Sequence, residues 1–328
     1  MKKILLTFLA LSIAIYAKEV TVSILPQKYF VEKIAGDKIE VNVMVRKGFS
    51  PATYEPKTSQ MRKLSKSEVY FSIDVPFEKS WLDRFKNANK KMLVVDTTAG
   101  IVKQEMEAHN HEEEGHDDHD EHKDHDEHKD HDDHKKHDEH DDHKKHDDHD
   151  EHAEHGEEDE HAGHDHSGLD PHVWLDPILV KTQAKNIYDT LVKIDSANKD
   201  FYTTNYKNFL LELDTLDAKL KNILKSYADK SFMVFHPSWG YFAKRYDVEQ
   251  ISIEIQGKEP KPSQLVELMD EAKKHDIKIV FVSPQFSQKG AETIAKNIKG
   301  NTAIINPLSY KWDENLLQVA TQIAKSYK

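Results

Sequence analysis

The sequence of residues 197–225 is ANKDFYTTNYKNFLLELDTLDAKLKNILK, and it predicts a single long helix. Its apolar residues are spaced three, four or eight positions apart, which places them on one helical face. They are Phe201, Phe209, Leu213, Leu216, Leu220 and Leu224. At about 1.5 Å per residue such a helix is roughly 40 Å long, the length of a two-lobed protein. It is either a surface helix on the second half of the chain or a rigid connector between two lobes, and periodicity alone does not separate these.

On both sides of this helix, predicted strands and helices alternate along the chain. The predicted strands span residues 19–25, 39–45, 69–73, 92–96, 231–235, 249–255, 277–282 and 303–306. The other predicted helices span residues 27–35, 58–66, 77–85, 178–194, 241–245, 263–274, 291–298 and 313–325. Such alternation indicates parallel sheets covered by helices. We therefore predict an α/β fold of two lobes, each with a mostly parallel four-stranded sheet and flanking helices.

An acidic, histidine-rich insert dominates the composition. The 328 residues carry a formal charge of −13, to which residues 109–166 contribute −21 and the rest of the chain +8. The insert holds 19 of the 22 histidines, one at every third position from His116 to His155. Because it has almost no apolar residues to bury, we predict that it is disordered. Neutral imidazole suits zinc, copper and nickel, so we expect several weak metal sites and predict that they bind zinc at neutral pH. The alternative is a charged linker whose histidines bind nothing.

Composition also argues against a nucleic-acid-binding protein. An acidic chain without a basic stripe is not expected to bind nucleic acid. Residues 1–17 combine two lysines with a twelve-residue apolar run, which predicts a cleaved secretory signal peptide. The alternative is an uncleaved anchor. The sequence has no cysteine, so neither disulfides nor thiolate ligands contribute.

These patterns divide the chain into five predicted segments. Residues 1–17 are the signal peptide, residues 18–108 a first α/β lobe, and residues 109–166 the insert. Residues 167–225 hold the end of that lobe and the connecting helices, and residues 226–328 form a second α/β lobe.

Three histidines lie outside the insert, and two of them lie in motifs bracketed by proline. His172 belongs to DPHVWLDP (170–177), and His236 belongs to FHPSWGYF (235–242), just past a predicted strand. Ligands of parallel α/β sheets gather beyond the carboxyl ends of strands. The pair is therefore either two metal ligands or two structural histidines. His275 lies at a predicted helix end, where it complements the helix dipole.

Four motifs make the chain resemble the metal-binding solute-binding proteins of bacterial ABC importers, in particular the zinc-specific ZnuA-type branch. They are GFSPATYEP (48–56), DPHVWLDP (170–177), FHPSWGYF (235–242) and PQFS (284–287). The resemblance covers essentially the whole mature chain, and a histidine-rich insert is typical of the zinc members. It implies two lobes joined by one long rigid helix, with metal in the cleft between them.

The resemblance also implies that His172 and His236 are metal ligands. The family places a third histidine after the Ser-Pro pair of the first motif, where this chain has Ala52. Manganese-type members place a carboxylate in the last motif, at the position of Ser287. The chain therefore lacks the family's usual third ligand.

A replacement ligand is expected nearby, since zinc usually has three or four protein ligands. Our first candidate is Glu254, at the end of a predicted strand, followed by Glu55 and Gln285. Alternatively, Glu55 caps the next helix and Glu254 forms a salt bridge at the cleft rim.

The predicted function is a periplasmic solute-binding protein that captures Zn²⁺ between its lobes and delivers it to an ABC permease in the inner membrane. The insert would then be a low-affinity zinc collector, and the chain a monomer. The alternatives are a periplasmic metal buffer and an importer component for another divalent metal such as manganese. An enzyme is not expected, because the sequence lacks His-Glu-x-x-His and an obvious general-base pair.

Overall fold

The structure is a computed structural model that describes residues 18–106, 168–255, 258–286 and 288–328. The predicted signal peptide, the predicted histidine-rich insert and Ser287 lie outside these ranges. Within the described residues, no helix combines the length and the apolar character needed to cross a membrane.

The first lobe is built on a sheet of four parallel strands in the order β2-β1-β3-β4. Its strands are β1 (Lys18–Val22), β2 (Ile39–Val43), β3 (Val69–Ser72) and β4 (Leu93–Asp96). Its helices are α1 (Leu25–Ala35), α2 (Thr58–Leu64) and α3 (Pro76–Ala88). All four residues of the central strand β3 are buried, which explains why its sequence VYFS is nearly all apolar rather than alternating.

Two helices, α4 (Pro177–Ile194) and α5 (Lys199–Leu224), come next in the chain. With 26 residues, α5 is about 39 Å long.

The second lobe repeats the topology of the first, with four parallel strands in the order β6-β5-β7-β8. Its strands are β5 (Ser231–Val234), β6 (Glu249–Ser252), β7 (Ile279–Val282) and β8 (Asn301–Ile304). Its helices are α6 (Gly240–Tyr246), α7 (Pro262–Lys274), α8 (Lys289–Asn297) and α9 (Trp312–Ser326). The predicted fold of two parallel four-stranded sheets with flanking helices is confirmed.

The long helix α5 links the two lobes. It packs against α4, against α1 of the first lobe, and against α6 and α9 of the second. The connector interpretation is therefore confirmed. Most of its predicted apolar face is buried, but Phe201 is 40% exposed. The Phe201 ring covers the end of α1, where a Cβ atom on Gly36 would stand 3.0 Å from it.

One apolar core runs through the first lobe, the connecting helices and one face of the second sheet. Strands β5 and β7 alternate between this core and a smaller one beneath α7 and α8. Phe232, Val234 and Phe281 face the shared core, whereas Met233 and Val280 face the smaller core. The two lobes are therefore joined by buried side chains as well as by α5.

Candidate metal site

The two histidines predicted as ligands lie side by side. His236 follows β5 by two residues, which brings it to the carboxyl edge of the second sheet. His172 precedes a short 3-10 turn (Val173–Leu175) that leads into α4. The centres of the two imidazole rings are 5.6 Å apart, and each residue is 7% exposed. Two imidazoles bound through Nε2 to one tetrahedral zinc ion would have ring centres about 5 Å apart, given bonds of about 2.0 Å.

A buried aspartate orients His172. The Nδ1 atom of His172 lies 2.7 Å from Asp170 Oδ1, which also accepts the backbone N–H of His172 at 2.9 Å. Asp170 is 1% exposed, and its Oδ2 accepts a hydrogen bond from Gln104 Nε2 at 3.4 Å. Because the carboxylate takes Nδ1, metal binding by this ring would use Nε2.

A buried glutamate orients His236 in the same way. The Oε2 atom of Glu254, which is 7% exposed, accepts a hydrogen bond from His236 Nδ1. The His236 ring also stacks on Phe286, with ring centres 4.4 Å apart. Burial lowers the pKa of His236, although the neighbouring Glu254 opposes this shift. The shift favours the neutral imidazole, which is the form that binds metal.

The described residues contain no group of three or more His, Cys, Asp or Glu side chains placed to hold a metal ion, either around this pair or elsewhere. The structure thus supplies two buried imidazoles, each held at Nδ1 by a buried carboxylate. It supplies two candidate metal ligands with fixed ring orientations.

Comparison with known proteins decides the family. The model of the ZnuA family, described as zinc-uptake complex component A, periplasmic, matches residues 20–327. The chain belongs to this family. The resemblance predicted from four motifs is therefore confirmed.

Individual ZnuA-family relatives agree with this assignment. The high-affinity zinc uptake system protein ZnuA of Bacillus subtilis (strain 168) is 35% identical over 142 residues, which are 43% of this chain and 44% of that protein. The zinc-binding protein AdcA of Streptococcus pyogenes serotype M3 is 28% identical over 294 residues, which are 88% of this chain and 50% of that protein. The chain spans about half the length of the curated relatives it matches.

A crystal structure of ZnuA shares the fold. It has 35% sequence identity and a TM-score of 0.76, and the match covers 95% of this chain and all of that one.

Where the resemblance implies a histidine, the loop carries Ala52, whose backbone N–H donates to Ser50 Oγ at 3.1 Å. Glu55, three residues on, is exposed. It does not cap α2, because the Lys57 N–H at the start of that helix donates to Gln60 Oε1 at 3.0 Å. The described contacts therefore place neither Ala52 nor Glu55 beside His172 and His236.

Gln285 lies in the loop after β7, next to Phe286. Its Nε2 donates to Asn306 Oδ1 at 2.9 Å, and its Oε1 is buried and has no hydrogen-bond partner among the described residues. Because a buried carboxamide oxygen without a partner is costly, a water or a cation at this oxygen would be favourable.

His275 lies far from this site in the sheet, at the amino end of β5. It is the C-cap of α7, its Nε2 pairs with Glu271 at 2.8 Å, and its Nδ1 lies 2.7 Å from Ser231 Oγ. This agrees with the structural role expected for a histidine at a helix end.

Sequence reasoning missed Asp170 as a site residue. The available signal was its position two residues before His172, within the same proline-bracketed motif.

Proposed function

We propose that the protein binds one Zn²⁺ between His172 and His236 and delivers it to an ABC permease in the inner membrane. The observation that supports this most directly is the pair of imidazoles, each held at Nδ1 by a buried carboxylate. A carboxylate on one nitrogen fixes the ring and raises the basicity of the other, as in many zinc sites. The names of the zinc uptake and zinc-binding relatives supply the choice of metal.

The two histidines bind the ion through their Nε2 atoms in this proposal. Glu254 acts mainly through His236, since its Oε2 engages the ring. Of the two other candidates, Gln285 has a buried carboxamide oxygen that finds no partner in the described part of the chain, whereas Glu55 is exposed. We therefore place Gln285 ahead of Glu55, with water in any remaining position of a tetrahedral ion.

Capture and release follow from the burial of the pair. Each histidine is only 7% exposed, so the loops that carry them must open for the ion to enter or leave. Bound zinc favours the closed arrangement because it bridges both rings, and the permease would recognise that arrangement. Release requires the two rings to separate, which removes ligands one after the other.

The remaining parts of the proposal rest on the sequence. Residues 1–17 direct the chain to the periplasm, where it acts as a monomer, and residues 109–166 collect zinc at low affinity. A metal buffer needs no buried pair of imidazoles that closes on one ion.

The test is competition for one equivalent of zinc between the full chain and a chromogenic chelator. His172→Ala and His236→Ala should each weaken the tightest site by about tenfold or more, because each removes one of few ligands. His275→Ala, a histidine on another part of the second lobe, serves as the control and should bind like the wild type. Equal retention of zinc by all three variants would contradict the proposed site.

A further inference from the structure

We propose that Gly240 and Tyr241 set the separation of His172 and His236, which makes Tyr241 a positioning residue of the cleft. This inference rests on the proposed function, since it concerns the two histidines proposed to bind zinc. Tyr241 lies in the first turn of α6, five residues after His236, and is 5% exposed.

Residues 104–106 and 168–170 form a short antiparallel ladder, which we call the stem. The Asp170 N–H donates to the Gln104 carbonyl at 2.8 Å, and the Met106 N–H donates to the Gly168 carbonyl at 3.3 Å. Glu105 and Leu169 form the bridge between these bonds. Asp170, which orients His172, is therefore also a member of the stem.

The Tyr241 hydroxyl contacts both strands of the stem. It donates to the Asp170 carbonyl oxygen at 3.0 Å and accepts the Gln104 backbone N–H at 3.0 Å. Because Asp170 Oδ1 holds both the backbone and the ring of His172, a shift of the stem relative to α6 moves that ring.

The other end of the link is fixed to His236. The Ser238 N–H donates to the His236 carbonyl at 2.8 Å, and the Trp239 N–H donates to Gln250 Oε1 at 2.7 Å. The chain from His236 into α6 is thus held by hydrogen bonds on both sides of the turn. Tyr241 therefore joins the segment that carries one proposed ligand to the residue that orients the other.

Gly240 provides a second, independent observation. A Cβ atom at this position would stand 2.8 Å from Gln104 Nε2 and 3.2 Å from Asp170 Oδ2. These two groups hydrogen-bond each other at 3.4 Å. The absence of a side chain thus lets α6 approach the same pair of stem residues that the Tyr241 hydroxyl contacts.

A tyrosine that only stabilises the fold is the competing explanation, and the same helix offers a matched control. Tyr246 is also 5% exposed, and its hydroxyl donates to Asp217 Oδ1 on α5 at 3.2 Å. Tyr241→Phe and Tyr246→Phe each remove one buried hydroxyl from α6. Only the first removes a bond to the stem.

The experiment uses the full chain, one equivalent of zinc and a competing chelator, well below the temperature of unfolding. A His172→Ala/His236→Ala double variant measures the zinc held elsewhere in the chain. We expect Tyr241→Phe to weaken zinc binding by about tenfold, the size usual for residues that orient metal ligands. Tyr246→Phe should change it less than about twofold, even if both variants lose similar thermal stability.

The absorption spectrum of one equivalent of Co²⁺ reports the geometry of the site. Tyr241→Phe should change the ligand-field bands, and Tyr246→Phe should leave them as in the wild type. If Tyr241→Phe does not fold, Gly240→Ala replaces it and should weaken zinc binding severalfold by displacing Gln104.

If the folded Tyr241→Phe variant, or Gly240→Ala in its place, binds zinc with wild-type affinity and shows an unchanged Co²⁺ spectrum, the inference is overturned. The proposed function would still stand. A wild-type chain that holds zinc no more tightly than the double-histidine variant would instead refute the proposed function.

Discussion

Asp170 and Glu254 show how single residues determine which ring atoms the proposed metal site presents. Each takes the Nδ1 atom of a histidine, so each ring is left with Nε2 for the proposed zinc ion. The histidines themselves were predictable, because each lies in a short motif bracketed by proline. The pairing of Glu254 with His236 was not, because the two are 18 residues apart and meet only since β5 and β6 are neighbours in the sheet.

Another buried carboxyl group, Glu78, makes stability depend on pH. It is 2% exposed, and its carboxyl group accepts the backbone N–H groups of Ile73 at 3.1 Å and Asp74 at 2.7 Å. The Ser23 hydroxyl also bonds to it. Burial raises the pKa of Glu78 to about 7, although these hydrogen bonds oppose the shift.

The sign of the effect follows from this raised pKa. Between about pH 4.5 and pH 7 the folded chain holds the Glu78 proton more tightly than the unfolded chain does. The stabilisation is therefore complete below about pH 4.5 and is lost as the pH rises through about 7. Glu78→Gln, which stays neutral, should remove this loss. Relative to the wild type, the variant should gain about 2 kcal/mol in the free energy of unfolding between pH 5 and pH 8.

Denaturant unfolding of both proteins at the two pH values measures this gain. Groups that titrate alike in both proteins cancel in the comparison. A parallel pH dependence of the two unfolding free energies would show that Glu78 ionises normally.

At the scale of elements, α4 depends on a cap that the motif DPHVWLDP supplies. Asp176 Oδ1 accepts the backbone N–H of Ile178 at 2.7 Å and of Leu179 at 3.4 Å. Asp176→Ala should lower the free energy of unfolding by about 1 kcal/mol, because two N–H groups of the first turn lose their acceptor. Asp176→Asn retains an acceptor oxygen and should lose less.

Thermal and denaturant unfolding of the two variants separate capping from charge. Arg245 Nε lies 4.0 Å from Asp176, so an equal loss in both variants would assign the effect to that ion pair and contradict the cap.

The helices were more predictable than the strand ends. The periodicity of α5 persists over 26 residues, so its course was evident from the sequence. By contrast, β8 begins at Asn301, two residues before its predicted start. It is an edge strand whose first two residues are exposed, so no apolar pattern marks its beginning. The strand predicted over residues 249–255 ends at Ser252, since Ile255 pairs back with Lys258. Glu254 therefore lies in the loop after the strand, where it reaches His236.

At the scale of the whole molecule, the shared core limits how the lobes move. Trp174 Nε1 donates to the Pro307 carbonyl at 2.8 Å, and Trp312 Nε1 donates to the Trp174 carbonyl at 2.8 Å. Arg245 on α6 forms two 2.9 Å bonds to Asp217 on α5. Rotation of one lobe would break these buried contacts, so we expect zinc capture to move the loops of the cleft rather than whole lobes.

The two-lobed architecture could be predicted because strand and helix alternate twice around one long helix. The complete ligand set could not, because the chain has Ala52 where the resemblance implies a histidine, and a replacement depends on contacts between distant loops. Gln285 illustrates this, since its buried oxygen is defined by the fold and by Asn306 rather than by its motif.

Diffraction from crystals of the zinc-loaded chain, recorded on both sides of the zinc absorption edge, tests the central claim most directly. We predict an anomalous peak about 2.0 Å from Nε2 of both His172 and His236, with Asp170 and Glu254 still on the opposite ring nitrogens. A fully occupied zinc ion elsewhere, with no peak between these two rings, would contradict it.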